Sequence, residues 1–230
     1  MNAPWKIISV GGSIVIPKTG FDVRFLKQFV RLIENHITRG NRLILVVGGG
    51  WTCRQYQDAA KKVALLGHDD LDWIGIASTV LNAKFLQLLL KQYADPRIIQ
   101  KPKKKIITSY PVFIGAGFEP GHSTDMDAVL LAKTYGAKEI INLSNIDYVY
   151  DKDPKKYKNA KKIEHIDWKT FREDIVGNEW RPGKNAPFDP IASQAAEKIG
   201  LTVRILRGTN LKQLKNVLGG EQFLGTEIHP

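Results

Sequence analysis

Short apolar runs rich in β-branched residues recur along the chain, and between them lie longer stretches in which apolar positions return every three or four residues. A run of four to eight apolar residues suits a strand buried in a sheet, whereas a 3.6-residue period suits a helix with one buried face. On this basis residues 5–10, 42–47, 105–114, 139–143 and 202–206 are predicted as strands. Residues 23–38, 53–66, 73–93, 125–135, 168–175, 190–199 and 211–218 are predicted as helices. Strands alternating with helices predict an α/β fold, a mainly parallel sheet covered on both faces, because a parallel connection has to cross over the sheet.

Local punctuation sharpens some boundaries. Asp189 directly before Pro190 predicts a helix start: the carboxylate accepts from free amides of the first turn, and proline gives up an N–H that had no partner. Gly200 and Gly136 supply stops for the helices that precede them. At 230 residues the chain suits one domain. No linker divides it, although residues 151–187 are polar and proline-bearing enough to form an irregular second half.

Composition narrows the function. No window approaches the roughly 18 uninterrupted apolar residues of a membrane span, and the N-terminus reaches glycines too soon for a signal-peptide core, so a cytoplasmic protein is expected. Cys53 is the only cysteine, which excludes an internal disulfide, and it is read as packing. The net charge of +11 points to an anionic partner. The densest lysine runs, 101–105 and 152–162, lack the interleaved aromatic residues of a single-strand binding platform, so they are read as solvated loops and nucleic acid is not expected as a partner.

Three glycine-rich turns each follow a predicted strand: Gly11-Gly12-Ser13, Gly48-Gly49-Gly50 and Gly115-Ala116-Gly117. At the carboxyl ends of parallel strands, glycine lets backbone amides approach phosphate oxygens, and the next helix adds its positive end. Any one turn could be a tight connection and nothing more; three together predict a polyphosphate cradle. The chain has no G-x-x-x-x-G-K-[ST] string, so this is not a P-loop, and the 115–121 segment has the wrong glycine spacing for a dinucleotide fingerprint.

The strings VGGSIVIP at 10–17, VVGGGWTCRQY at 46–56, PGHSTD at 120–125, SNIDYVYDKDP at 144–154, DPIA at 189–192 and GTEIHP at 225–230 resemble, in order, the motifs of the amino acid kinase family, closest to its archaeal-type uridylate kinase branch. The resemblance implies a three-layer αβα sandwich whose mainly parallel central sheet has about eight strands. It also implies phosphoryl transfer from ATP to UMP with Mg2+, in a homo-oligomer, commonly a hexamer. An acceptor-binding part would span about residues 1–135 and a nucleotide-binding part about 136–230.

Carried over by position, Gly11, Gly12 and Ser13 would cradle the ATP phosphates, while Gly48, Gly49 and Gly50 would line the acceptor side. Arg54 would grip the UMP phosphate with its planar donors. Asp72 stands where the family sets a carboxylate on the ribose hydroxyls, with helix capping as an alternative. Gly117, His122, Ser123 and Thr124 would surround the uracil and acceptor phosphate, with His122 as a wall residue and Asp125 capping the next helix. Asn145, Tyr150 and Asp153 fall in the nucleotide-base pocket, and Asp189 would orient the phosphate-binding groups or hold Mg2+.

The sequence also departs from the family. Lysines that many members carry are replaced by Ser9 and Asn145, and the usual glycine of the nucleotide turn by Tyr148. Lys6 and Lys184 are the candidates for the missing cation, with a plain surface lysine as the alternative for each. Other acceptors of the same fold, such as isopentenyl phosphate, acetylglutamate or carbamate, and a non-catalytic nucleotide-binding role stay open at this level.

Overall fold

The structure is a computed structural model that describes residues 3–121, 123–177 and 186–230. Its strands are β1 (Trp5–Val10), β2 (Arg42–Val47), β3 (Ala94–Ile99), β4 (Val112–Gly115), β5 (Glu139–Ser144), β6 (Val149–Tyr150), β7 (Lys162–Ile163), β8 (His165–Asp167), β9 (Thr202–Arg207) and β10 (Thr226–His229). Its helices are α1 (Gly12–Val15), α2 (Val23–Ile37), α3 (Gly50–Val63), α4 (His68–Leu89), α5 (Thr124–Tyr135), α6 (Trp168–Thr170), α7 (Pro190–Lys198) and α8 (Leu211–Gly219). Among the described residues, eight strands form one sheet in the order β3-β4-β2-β1-β5-β9-β10-β8, and β6 pairs with β7 as a separate hairpin. Only the β9–β10 pairing is antiparallel within the large sheet.

The pleat divides each central strand between two cores. On β1, Ile7 faces one side, with Ile44, Phe113, Ile140 and Val203, beneath α5, α7 and the aromatic pair Trp168 and Phe171. Ile8 and Val10 face the other, with Leu45, Ile114, Ile141 and Leu206, beneath α2, α4 and α8. α2 buries Leu26, Phe29, Ile33 and Ile37, spaced to keep one stripe against the sheet, and Asp22 caps its start by accepting from the Phe25 amide at 2.9 Å. This is the sheet covered on both faces expected from the alternating pattern, and the αβα sandwich that the resemblance implied.

The corrections to the predicted elements cluster where side chains replace backbone pairing. Residues 105–111 are not strand: the Tyr135 hydroxyl accepts from the Ile106 amide at 3.0 Å and donates to its carbonyl at 3.2 Å, so a side chain serves that apolar segment in place of a neighbouring strand. The sheet edge is formed by β3, whose Ala94-Asp95-Pro96-Arg97 reads as a turn. Proline is tolerated on an edge, and the register shifts between Ala94 and Ile98. α3 and α4 start earlier than predicted, at Gly50 and His68, and α4 ends at Leu89. The helix expected at 168–175 is a short α-turn that continues as a π-helical stretch, Phe171–Val176. β10 escapes a periodicity reading because it is only four residues long, with Thr226 and Ile228 facing inward.

Asp95 fixes the edge. Its carboxylate accepts from Arg97 Nε at 2.8 Å and Nη2 at 2.6 Å, and from the Thr108 hydroxyl at 2.7 Å, tying the start of β3 to the loop before β4. The Arg97 side chain, followed by other donors, holds the Asp95 carboxyl at about 2 against an ordinary 3.8. A carboxylate depressed in the folded state stabilises above its unfolded pKa and loses that contribution as pH falls through the folded one. Because Arg97 is half-exposed, solvent screening reduces the expected effect. Asp95→Asn should therefore cost about 1–2 kcal/mol in urea unfolding at neutral pH, with the gap to wild type narrowing towards pH 3; a gap that stays constant would contradict this assignment.

Candidate active site

The first two glycine turns meet backbone to backbone. Gly48 N–H donates to Val10 C=O at 3.0 Å, Gly11 N–H to Leu143 C=O at 3.0 Å, and Trp51 N–H to Ile16 C=O at 3.0 Å. A methyl group on Gly12 would lie 2.0 Å from the Gly50 nitrogen, and one on Gly48 would lie 2.6 Å from the Gly12 nitrogen. Only glycine permits that approach, and Gly50 also takes φ +63°. From α4, the buried Asn82 amide donates to the carbonyls of Gly48 and Gly49 at 2.9 Å each, fixing the second turn from below. Neither α1 nor α3 has a side-chain cap, so amides of their first turns stay available to an anion.

Behind these turns two carboxylates confront each other across the starts of α5 and α7. Asp189 caps α7, accepting from the amides of Ile191 at 2.7 Å and Ala192 at 2.8 Å, as its place before Pro190 predicted. Its other oxygen, Oδ2, is buried without a hydrogen-bond partner among the described residues. Asp125 does not cap α5; Ser123 does, accepting from the Asp125 amide at 3.3 Å. The Asp125 carboxylate instead accepts from Ser9 Oγ at 3.2 Å, Asn142 Nδ2 at 3.3 Å and the Asp189 amide at 3.3 Å. Ser9 and Asn142 are paired neighbours on β1 and β5, so the residue replacing the family lysine supports a carboxylate. Burial pushes Asp125 up to about 7, and the negative charge of Asp189 adds to the rise.

A cavity of about 190 Å³ opens beside these turns, lined by Gly49, Cys53, Asp72, Gly75, Ile76, Thr79, Gly117, Phe118, Glu119, Ser123, Thr124 and Asp127. The structure thus brings Gly49, Asp72, Gly117, Ser123 and Thr124 together. Asp72 lies within the first turns of α4 rather than capping it, and its Oδ2 accepts from the Gly121 amide at 2.9 Å. Thr79 Oγ1 accepts from the Gly117 amide at 2.8 Å. Cys53 lines this cavity, beyond the packing role expected of it, and burial raises its thiol pKa. Arg54 is exposed on α3, next to the cavity-lining Cys53.

Asn145 is exposed just past β5, and Tyr150 lies on β6. The β6–β7 hairpin is held by the fully buried Thr226, whose hydroxyl accepts from the Val149 amide at 2.8 Å and donates to the Ile163 carbonyl at 2.5 Å. Asp153 is exposed and organises a turn by accepting from the Lys155 amide at 2.9 Å. The turn at 145–148 is anchored by a two-pronged pair between Asp147 and Arg207, both contacts at 2.7 Å.

Lys6 is not brought to the glycine turns. It sits five residues before Gly11, about 16 Å along an extended strand, and its ammonium pairs with Glu139 at 2.7 Å near the opposite ends of β1 and β5. Lys184 and His122 lie outside the described residues. The residues that sequence reasoning missed are Asn82, Thr79, Ser9 and Asn142 in support, and Asp125 as a charged group of the site. The signal for Asp125 was its company in PGHSTD, overridden by a capping assignment that suited its position equally well.

A carboxyl whose folded pKa of about 7 exceeds its unfolded 3.8 keeps its proton longer in the folded chain. Its destabilising contribution is absent near pH 4, grows from there to pH 7 and is complete above. The thermal midpoint of Asp125→Asn relative to wild type should accordingly climb as pH rises from 4.5 to 8, measured by calorimetry; a pH-independent difference would contradict the buried-carboxylate account.

Comparison with known proteins identifies relatives along the whole chain. A uridylate kinase from Thermococcus kodakarensis is 32% identical over 230 residues, covering 97% of this chain and 99% of the relative. One from Methanocorpusculum labreanum is 31% identical over 224 residues, covering 96% and 94%. The crystal structure of uridylate kinase from Archaeoglobus fulgidus superposes with a TM-score of 0.82 at 28% identity, covering 97% of this chain and 99% of that one. The profile of the amino acid kinase family matches residues 4–207, from the start of β1 to the end of β9 and so through every glycine turn and both carboxylates, and the chain belongs to that family.

Proposed function

We propose that this chain is a uridylate kinase, transferring the γ-phosphoryl group of ATP to the phosphate of UMP to give UDP for pyrimidine nucleotide synthesis. The observation that carries the reading is the shared Gly48–Gly50 turn: the acceptor cavity abuts it through Gly49, while Gly12 of the other cradle lies against Gly48 and Gly50. Two anions bound on either side of one glycine turn are within reach of each other without an intervening side chain. Full-length similarity to uridylate kinases of about 30% identity supports the same substrate pair. The carboxylates of Asp72, Glu119 and Asp127 in the cavity lining offer hydrogen-bond partners that a nucleoside can use and an isoprenoid tail cannot.

In this reading the acceptor part spans about residues 1–135 and the nucleotide part about 136–230, with the first glycine turn of the acceptor part reaching the ATP phosphates. Gly11, Gly12 and Ser13 hold the ATP phosphates, with Asn145, Tyr150 and Asp153 around its nucleoside. Arg54 grips the UMP phosphate, and Asp72, Gly117, Ser123 and Thr124 face its nucleoside. The UMP phosphate is already a nucleophile at neutral pH, so no general base is required, and catalysis rests on alignment of the two phosphates and on donors aimed at the transferred group. Asp189 with its unpartnered buried Oδ2, beside Asp125, fits a site for Mg2+ completed by phosphate oxygens and water, in keeping with an ion that takes only one or two protein carboxylates. Mg2+, when bound, supplies charge neutralisation on the phosphates.

A homo-oligomer, a hexamer in this proposal, accounts for the unpartnered face of α3 and α4. α3 buries none of its residues, and on α4 Trp73, Leu81 and Leu88 project from one side while more than half exposed. Light scattering should find an oligomer that Leu81→Glu combined with Leu88→Glu breaks into smaller species; a monomeric wild type would overturn this part.

Activity is tested by ADP release with ATP, Mg2+ and a panel of UMP, CMP, dTMP, isopentenyl phosphate and acetylglutamate. UMP should support turnover, and Arg54→Ala should lower kcat/KM for UMP about 10- to 100-fold, the scale of one charge-assisted phosphate contact. Turnover with another acceptor and none with UMP would replace the substrate while leaving the fold untouched.

A further inference from the structure

Two polar residues interrupt the apolar sheet face beneath α5 and α7. Ile7 on β1 and Ile140 on β5 are fully buried in that core, and two positions further along, facing the same way, come Ser9 and Asn142. The two are register partners, and both are buried. A buried polar side chain costs stability unless its hydrogen bonds are made, and these two direct theirs to one atom. Asp125 Oδ1 accepts from Ser9 Oγ at 3.2 Å and from Asn142 Nδ2 at 3.3 Å.

With Oδ1 pinned from the sheet, the direction of the other Asp125 oxygen is set. Oδ2 meets the start of α7, where it accepts from the Asp189 amide at 3.3 Å. Asp189 in turn commits Oδ1 to the amides of Ile191 and Ala192, and its Oδ2 is buried without a hydrogen-bond partner among the described residues. Ser9 and Asn142 are neutral donors: they orient the carboxylate and add no charge. Among the described residues neither Asp125 nor Asp189 forms an ion pair. The negative charge of the pair is left for a ligand to meet.

We propose that Asn142, with Ser9, is a positioning residue for the divalent cation that accompanies ATP: the two donors turn Asp125 towards Asp189, and their neutrality leaves the charge of the carboxylate pair to that cation. The proposal rests on the kinase reading and on Mg2+ at these carboxylates. Loss of a residue that orients a metal-binding side chain typically lowers metal affinity about 10- to 100-fold. Acting through Asp125, neither residue contributes to nucleotide affinity when no metal is present.

The test titrates the imido analogue of ATP, which does not transfer its γ-phosphate, into the full-length protein by calorimetry, once with Mg2+ and once with EDTA. The ratio of the two Kd values measures what the cation adds. Asn142→Leu, which keeps much of the volume and removes the donor, should cut that ratio about 10-fold while the Kd in EDTA changes less than about twofold. Ser9→Ala should cut the ratio about 3-fold, the scale of one neutral hydrogen bond, and Ser9→Thr, which keeps the hydroxyl, should match wild type. Ser9→Lys should tighten binding in EDTA and shrink the ratio, because an ammonium there takes over charge that the cation otherwise meets. Equal losses in Mg2+ and in EDTA would reduce Asn142 to a structural residue and overturn the proposal, as would a lowered melting temperature with the ratio unchanged. A wild type that binds the analogue equally well with and without Mg2+ would overturn it while leaving the kinase reading intact; one that binds no analogue would overturn both. Should Asn142→Leu fail to fold, the three Ser9 variants decide.

Discussion

The rest of the site depends on how closely two backbones approach at Gly12, Gly48 and Gly50. With room for no side chain between them, the turns after β1 and β2 become one surface, and the helices that start there, α1 and α3, carry no side-chain cap. Everything around that contact keeps it in register. β1 pairs with β2 along its whole length, Gly48 and Gly11 continue the sheet's hydrogen bonding one residue past the strands, and Asn82 ties the Gly48 and Gly49 carbonyls to α4. A cradle made of main chain is rigid because its geometry is that of the sheet itself, and rigid donors need no reorganisation as charge moves between phosphates.

The carboxylates behind the cradle show the opposite tendency, a local instability kept in place by its surroundings. Asp125 and Asp189 lie close enough for the amide of one to bond the side chain of the other, and burial plus mutual repulsion raises Asp125 far above an ordinary aspartate. Asp189 offsets its own burial by capping α7, yet keeps one oxygen unpartnered among the described residues. Such an arrangement costs stability in the isolated chain, and a divalent cation shared with phosphate oxygens would relieve it. Under the proposed function, binding of the nucleotides and relief of the carboxylate conflict would be aspects of one electrostatic balance.

Much of the layer structure was legible because burial imposes periodicity. The two faces of β1, β2, β5 and β9 and the single stripe of α2 follow directly from alternation and from a 3.6-residue repeat. The Asp189-Pro190 start of α7 and the left-handed Gly136 stop of α5 were legible for a local reason, since each is satisfied by its own neighbours. β3 and β10 were not, being short or turn-like segments that become strands only when an edge of the sheet receives them. At the site, the glycine turns were legible by composition and position. The place of Lys6 is not legible, since its sequence distance from Gly11 says little about which end of a strand it serves, and Glu139 claims it at the far end. Asp125 was read as a cap because capping is a local rule; its actual partners, Ser9 and Asn142, lie on other strands.

The sequence by itself determined the strand and helix alternation, the glycine turns that only unbranched backbone can form, and the Asp189 cap of α7, all of which are set within a few residues by sterics and hydrogen bonding. Tertiary structure decided which turns touch, which carboxylates face each other, and that Asp72 reaches across from α4 to Gly121. Those contacts join residues dozens of positions apart, and their geometry exists only once the sheet order and the two hydrophobic cores have fixed where each helix lies.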